Sequence, residues 1–231
     1  MTAEALAQTN AEIVECVKCP RLVRWRREVA LSPPARFAGQ RYWARPVPGF
    51  GDPGAHVLLV GLAPAAHGGN RTGRVFTGDR SGDFLFPVLH EAGFANQPTS
   101  THIGDGLRLL DLYISAVNRC APPDNRPTPA ERDNCLPYLV REMRALKNAR
   151  LIVCLGAFAW DGALRALREL GHVVSRKPRF GHGAEVQVGY YTLLGTFHPS
   201  QQNTFTGRLT REAFREIFIR ARALVEDQEG R

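Results

Sequence analysis

Short apolar runs punctuate the chain: HVLLVGLA at 56–63, LYISAV at 112–117, LIVCLGA at 151–157 and YYTLLGTFH at 190–198. Their hydrophobicity is continuous rather than alternating, as in strands covered on both faces, and it predicts a mostly parallel sheet of about four strands. Helical patterns run over 3–17, 83–93, 129–147, 157–170 and 211–226. Pro87 shortens or kinks the second. Thr128-Pro129 with Glu131 in the first turn opens the third as a capping box, Gly171 closes the fourth, and Thr210 is placed to cap the last. Strands alternating with helices predict a three-layer α/β/α sandwich whose ligands sit at the carboxyl ends of the strands. Residues 32–54 break the pattern, with Pro and Gly among Arg36, Arg41, Arg45, Phe37, Tyr42 and Trp43, and read as an irregular arm. No internal repeat is visible, and residues 1–231 read as one domain with a helix and arm over about 1–54.

Composition narrows the class of partner. The 231 residues are 44% hydrophobic, enough for a substantial core without disulfides. Lys plus Arg number 30 against 22 Asp plus Glu, a net charge of +8, and nearly all of the cations are Arg. Arginine suits bidentate contact with phosphate, so an anionic partner competes evenly with a merely solvated surface. No run of about 18 apolar residues is present, and Glu4, Glu12 and Glu15 sit where a signal peptide would need a basic start. A cytoplasmic chain is therefore expected. Five cysteines, an odd number, are then thiols or metal ligands rather than a disulfide framework.

Two polar segments follow strand ends. The first runs from Gly61 through Ala63, Ala65, His67 and Phe76 to Asp79, a glycine-punctuated loop with neither the Walker nor the Rossmann spacing, which makes ATP and NAD poor candidates. It offers close backbone approach, one aromatic ring and one carboxylate. Asp79 could equally cap the helix that follows. The second, His198 to Arg208, surrounds a histidine with Ser, Gln, Asn and Thr donors. His67 has the same choice between structure and chemistry; His56, His90, His102, His172 and His182 read as structural or surface groups. Cys16 and Cys19 form a CxxC pair, with Cys120 and Cys135 further on, and such a thiol set accepts zinc or an iron–sulfur cluster. Cys154, inside LIVCLG, reads as a small buried hydrophobe.

The loop GLAPAAHGGNRTGRVFTGD, the segment HPSQQNTFTGR and the four cysteines together resemble the uracil-DNA glycosylase superfamily, and within it the iron–sulfur family 5, or type B. FTGD with Asp79 is the family 5 form. The resemblance implies an enzyme that flips uracil, and other deaminated bases such as hypoxanthine or xanthine, out of DNA and hydrolyses the N-glycosidic bond, leaving an abasic site. It implies Asp79, His198 and Asn203 as catalytic groups, and Gly61, Ala63, Ala65, Phe76 and Asn125 around the base. Ser200, Thr204, Thr206 and Arg208 would hold phosphates, with Gln201, Gln202 or Phe205 as a wedge. Cys16, Cys19, Cys120 and Cys135 would hold a structural [4Fe–4S] cluster that staples the N-terminal arm. A monomer acting on DNA near the nucleoid, and no membrane, is the expected setting. A metal-stapled DNA-binding module without catalysis would not need Asp79 and His198 at converging strand ends. A small-nucleoside hydrolase would not need a basic surface, and no GxSxG elbow supports an ester-cleaving variant.

Overall fold

The computed structural model describes residues 2–229, with side chains through residue 227. Among these residues six strands form one sheet: β1 (Phe50–Gly51), β2 (Val57–Gly61), β3 (Leu112–Ala116), β4 (Leu151–Leu155), β5 (Glu185–Val188) and β6 (Tyr191–Thr196). Their order is β1-β3-β2-β4-β6-β5. The predicted four are the inner parallel strands, and every residue of β2, β3, β4 and β6 is buried. The count of about four is corrected to six by two antiparallel edges. One is only two residues long inside the Pro/Gly stretch, and the other, Glu-Val-Gln-Val, is largely open to solvent, so neither carries a long apolar run.

Helices cover both faces: α1 (Thr2–Val14), α2 (Pro20–Leu31), α3 (Gly69–Thr72), α4 (Arg80–Glu91), α5 (Pro129–Ala145), α6 (Ala157–Glu169), α7 (Gln201–Phe205) and α8 (Arg211–Glu229). The side chains of β2 alternate between two cores. Val57 and Leu59 join α4 and α8 through Phe86, Leu89, Phe214 and Phe218, whereas Leu58 and Val60 join α5 and α6 through Leu139, Met143, Trp160 and Leu164. Each fully buried Leu or Phe contributes about 1.5–3 kcal/mol of transfer free energy, so the two cores fix the sheet between the layers. The capping box at Thr128 and Glu131 forms, and Thr210 accepts from the Ala213 N–H at 3.1 Å. The stretch after Cys19 is a helix that the pattern did not predict. Pro20 occupies its first turn, and its buried stripe is Leu22, Arg26 and Val29, with a charged residue in the middle.

Chain order and sheet order diverge at β2, which is flanked by β3 on one side and β4 on the other. The chain leaves β2 for β3 on one side and then crosses back past β2 to β4 on the other, and the carboxyl ends there open the crevice in which such sheets bind ligands. The segments after β2, β3 and β6 all emerge at this end.

Candidate active site and thiol centre

The loop after β2 is built around close approaches. A Cβ on Gly61 would stand 2.8 Å from Phe76 Cζ, so glycine here lets the ring lie on the strand end. Phe76 is itself left-handed, at φ 53, a conformation costly for an aromatic residue and held by the packing around it. The preceding turn is tied by Arg71, whose Nε donates to the His67 carbonyl and Nη2 to the Gly78 carbonyl, both at 2.8 Å. Below it Arg74 donates to Thr77 at 2.9 Å and to Asp105 at 2.7 Å. Burial alone would raise the Asp105 carboxyl, but Arg74 and the backbone N–H groups of Thr101 and Leu107 override it and hold it at about 2. Ala63 and Ala65 line the same loop and are half-buried.

Asp79 does two things with two oxygens. Oδ1 accepts from the Gly82 N–H at 2.9 Å and caps α4. Oδ2 faces Gly68, where a Cβ would come within 2.0 Å of it. The carboxyl keeps some solvent at the mouth of the site, yet it is surrounded by protein. This burial is the largest influence and raises its pKa, against the lowering by the Gly82 and Ser81 N–H groups. A carboxylate tuned upward in a crevice suits a general base or the stabilisation of a cation, and the cap does not exclude either role.

His198 follows β6 and stands across from the loop, with its ring centroid 5.9 Å from that of Phe76. Burial with no offsetting charge pushes its pKa down to about 4, so the ring is neutral at physiological pH and carries one N–H. Asn203 donates to the His198 carbonyl at 2.8 Å, which fixes the backbone of the histidine. That bond uses one of the two amide hydrogens. Gln201–Phe205 form α7, a short and largely exposed projection. Thr204 donates to the Ser200 carbonyl at 3.2 Å and Thr206 to that of Gln202 at 2.6 Å. Gln201 and Gln202 are exposed, Phe205 is 78% exposed at the tip, and the Arg208 guanidinium lies 4.3 Å from the Phe197 ring centroid.

Gly61, Phe76 and His198 thus come together, and Asp79 follows Phe76 by three residues on the same loop. Asn125 does not join them in any hydrogen bond: it stands on an exposed turn, Pro123–Asn125, at φ 55. His67 turns toward the arm, 3.0 Å from the Tyr42 hydroxyl. The arm is joined to the loop, since Trp43 N–H donates to the Arg71 carbonyl at 2.9 Å and Ala44 N–H to the Asn70 carbonyl at 3.0 Å. His182, read from the sequence as structural or surface, stacks on Phe197 with centroids 5.3 Å apart and lies 3.1 Å from Thr196 Oγ1. Sequence reasoning missed Asn118, fully buried beyond β3, whose amide nitrogen and oxygen have no partner among the described residues. A polar residue two positions after a buried strand was the available signal.

The four candidate ligand cysteines are all reduced. Cys19, Cys120 and Cys135 are buried, and Cys19 and Cys120 pack with Leu22. Burial raises Cys120 to about 11 and Cys135 to about 12, the neighbouring thiols adding to the rise. N–H groups are directed at the sulfurs: Arg26 Nη1 at Cys120 (2.9 Å), Asn134 Nδ2 at Cys19 (3.5 Å) and the Arg119 backbone at Cys135. Among the described residues no three His, Cys, Asp or Glu side chains gather at the spacing of a single metal ion. Cys154 lies fully buried in β4, its pKa driven far up by burial.

Comparison with known proteins agrees with this geometry. The model of the uracil DNA glycosylase superfamily matches residues 48–222. A type-5 uracil-DNA glycosylase of Mycobacterium tuberculosis is 53% identical over 224 residues, covering 96% of this chain and 82% of the relative. One from Thermus thermophilus is 50% identical over 227 residues, 97% of this chain and 99% of the relative. A type-4 uracil-DNA glycosylase of Archaeoglobus fulgidus is 39% identical over 167 residues, 69% of this chain and 76% of the relative. With half of its residues shared with type-5 relatives over nearly its whole length, the chain belongs to the uracil DNA glycosylase superfamily.

Proposed function

We infer that the protein is a uracil-DNA glycosylase of DNA repair, a hydrolase that releases uracil by cleaving the N-glycosidic bond. The observation that carries this reading beyond the relatives is a half-buried, neutral His198 beside the Phe76 ring, with Asp79 on the same loop as Phe76. As the bond breaks, negative charge gathers on the base and positive charge on the sugar, so the site needs a preorganised donor for one and a carboxylate for the other. A neutral imidazole can donate its N–H to the departing base without an acidic pH. Asp79 Oδ2 stabilises the sugar cation or takes a proton from water, while Oδ1 holds the carboxyl in place through α4. Phe76 stacks on the extruded base, with Gly61, Ala63 and Ala65 allowing the backbone to approach. Asn203 acts as a positioning residue through the His198 carbonyl.

DNA is the substrate. Arg208 and the hydroxyls of Ser200, Thr204 and Thr206 border the site, and the exposed Gln201, Gln202 and Phe205 on α7 are the candidates to fill the vacated stack. Asn125, on its exposed turn, is closer in character to a DNA contact than to a base-pocket group. Acceptance of hypoxanthine and xanthine as well as uracil follows from a pocket built mainly of an aromatic face and glycine backbone.

Cys16, Cys19, Cys120 and Cys135 fit a [4Fe–4S] cluster by donor chemistry: all four are reduced, they influence one another electrostatically, and N–H groups are aimed at three of the sulfurs. When bound, such a cluster supplies a structural cross-link rather than a reacting group. It would tie α2 to the segment after β3 and to α5, making one domain of the N-terminal region and the sheet. No helix among the described residues is long and apolar enough to cross a membrane. A monomer working at the nucleoid in the cytoplasm completes the reading.

The test is an excision assay on a panel of oligonucleotides, each carrying one modified base. Release of uracil with an abasic product is the expected result, and hypoxanthine and xanthine release measures breadth. Tight DNA binding with no base released from any member would establish a binding module instead.

A further inference from the structure

Arg26 occupies the inward stripe of α2 and is 3% exposed. Among the described residues no carboxylate pairs with it. Its Nη1 donates to Cys120 Sγ at 2.9 Å, its Nη2 to the Cys16 carbonyl at 3.5 Å, and its Nε has no partner. Other buried arginines are neutralised directly: Arg119 by Glu142 at 2.6 Å and Arg74 by Asp105 at 2.7 Å. A guanidinium cannot shed its proton, so a buried one requires an anion close by. Around Arg26 the groups available are sulfurs. As thiols they carry no charge, but four thiolates around an iron–sulfur cluster carry a net negative one.

We propose that Arg26 is the internal counter-cation of the thiolate centre, donating to Cys120 Sγ and setting the reduction potential of the group held there. The proposal rests on the reading that Cys16, Cys19, Cys120 and Cys135 hold an iron–sulfur cluster. A fixed positive charge stabilises the more negative, reduced state, so Arg26 raises the potential and slows oxidative loss. The position is rigid, because the Arg26 carbonyl accepts from Asn70 Nδ2 at 3.1 Å, from the loop that bears Asp79. Arg26 thereby acts as a positioning residue between the thiol centre and the catalytic loop.

The experiment compares the purified parent with Arg26→Gln and Arg26→Lys. Iron and sulfide content are measured first, then the midpoint potential by mediated spectroelectrochemical titration, with the reduced cluster followed by electron paramagnetic resonance. Arg26→Gln is expected to shift the reduced-to-oxidised ratio at a given poise by about tenfold toward the oxidised form, about 59 mV for a one-electron couple. It should also bleach faster in air, with Arg26→Lys close to the parent in both. A Gln variant with full iron and the parental potential overturns the proposal. If Gln loses iron while Lys keeps it, the charge is required, as proposed. Loss from both overturns it, since the shape of the guanidinium and not its charge would then hold the centre. A parent without iron overturns the cluster reading itself, before any variant is measured.

Discussion

The neutral state of His198 makes folding stability depend on pH in a calculable window. Burial lowers its pKa from 6.5 to about 4, so between these values the unfolded chain binds a proton that the native chain refuses. Stability therefore rises with pH through this window and is lost as pH falls. Integrating the linkage from pH 7 to pH 4.5 gives about 2 kcal/mol for this group alone, a sizeable part of a typical 5–15 kcal/mol total. Urea denaturation at the two pH values, on parent and His198→Gln, isolates it, because other titrating groups are common to both proteins. With m near 2 kcal/mol/M, the parental midpoint should drop about 1 M further than that of the variant. Equal losses in the two proteins would refute the argument, and with it the assignment of a neutral donor. The same reasoning predicts that single-turnover excision shows no titration from His198 between pH 5 and 9.

Asp79→Asn keeps an acceptor for the Gly82 N–H and removes the charge, so thermal stability should change little while single-turnover excision falls by roughly 10²–10³-fold; parental turnover would reduce Asp79 to a cap. Gly61→Ala drives a methyl into the Phe76 ring, and overpacking of this kind costs about 1–3 kcal/mol. The ring must move off the strand end, so weakened binding of uracil-containing DNA, measured by fluorescence anisotropy with a slowly cleaved analogue, is expected to exceed any loss in melting temperature. Cys135→Ser should abolish visible absorbance and bound iron, and Cys154→Ser should leave both intact; equal behaviour of the two would reassign the ligands.

Much of the architecture was legible because burial on two faces writes an uninterrupted apolar run, as in Leu151–Leu155. β1 and β5 escaped for the opposite reason: a two-residue strand has no period, and Glu185–Val188 exposes half of its side chains. α2 escaped because its core stripe contains Arg26, and a charge at an inward position defeats a hydrophobic pattern. At the site, residue types and strand ends singled out Asp79, Phe76 and His198, and the structure sets Phe76 beside His198. They did not divide Asp79 into a capping and an outward-facing oxygen, since that depends on the spacing of Gly68 and Gly82 in three dimensions. Asn203 was picked out by type, but its bond to the His198 carbonyl is a consequence of the tight turn into α7.

The backbone bonds from Trp43 and Ala44 to Arg71 and Asn70, and the Asn70 amide on Arg26, make the arm and the catalytic loop a single mechanical part. Such a part sets the limits of modular engineering. The loop from Gly61 to Asp79 could not be transplanted to another α/β scaffold without carrying residues 26–45 along with it. An N-terminal truncation that spared every residue of the crevice would likewise leave the loop without its template. Evolution of base preference in this chain is correspondingly confined to side chains that project from the loop, because changes in its length would have to be matched in the arm.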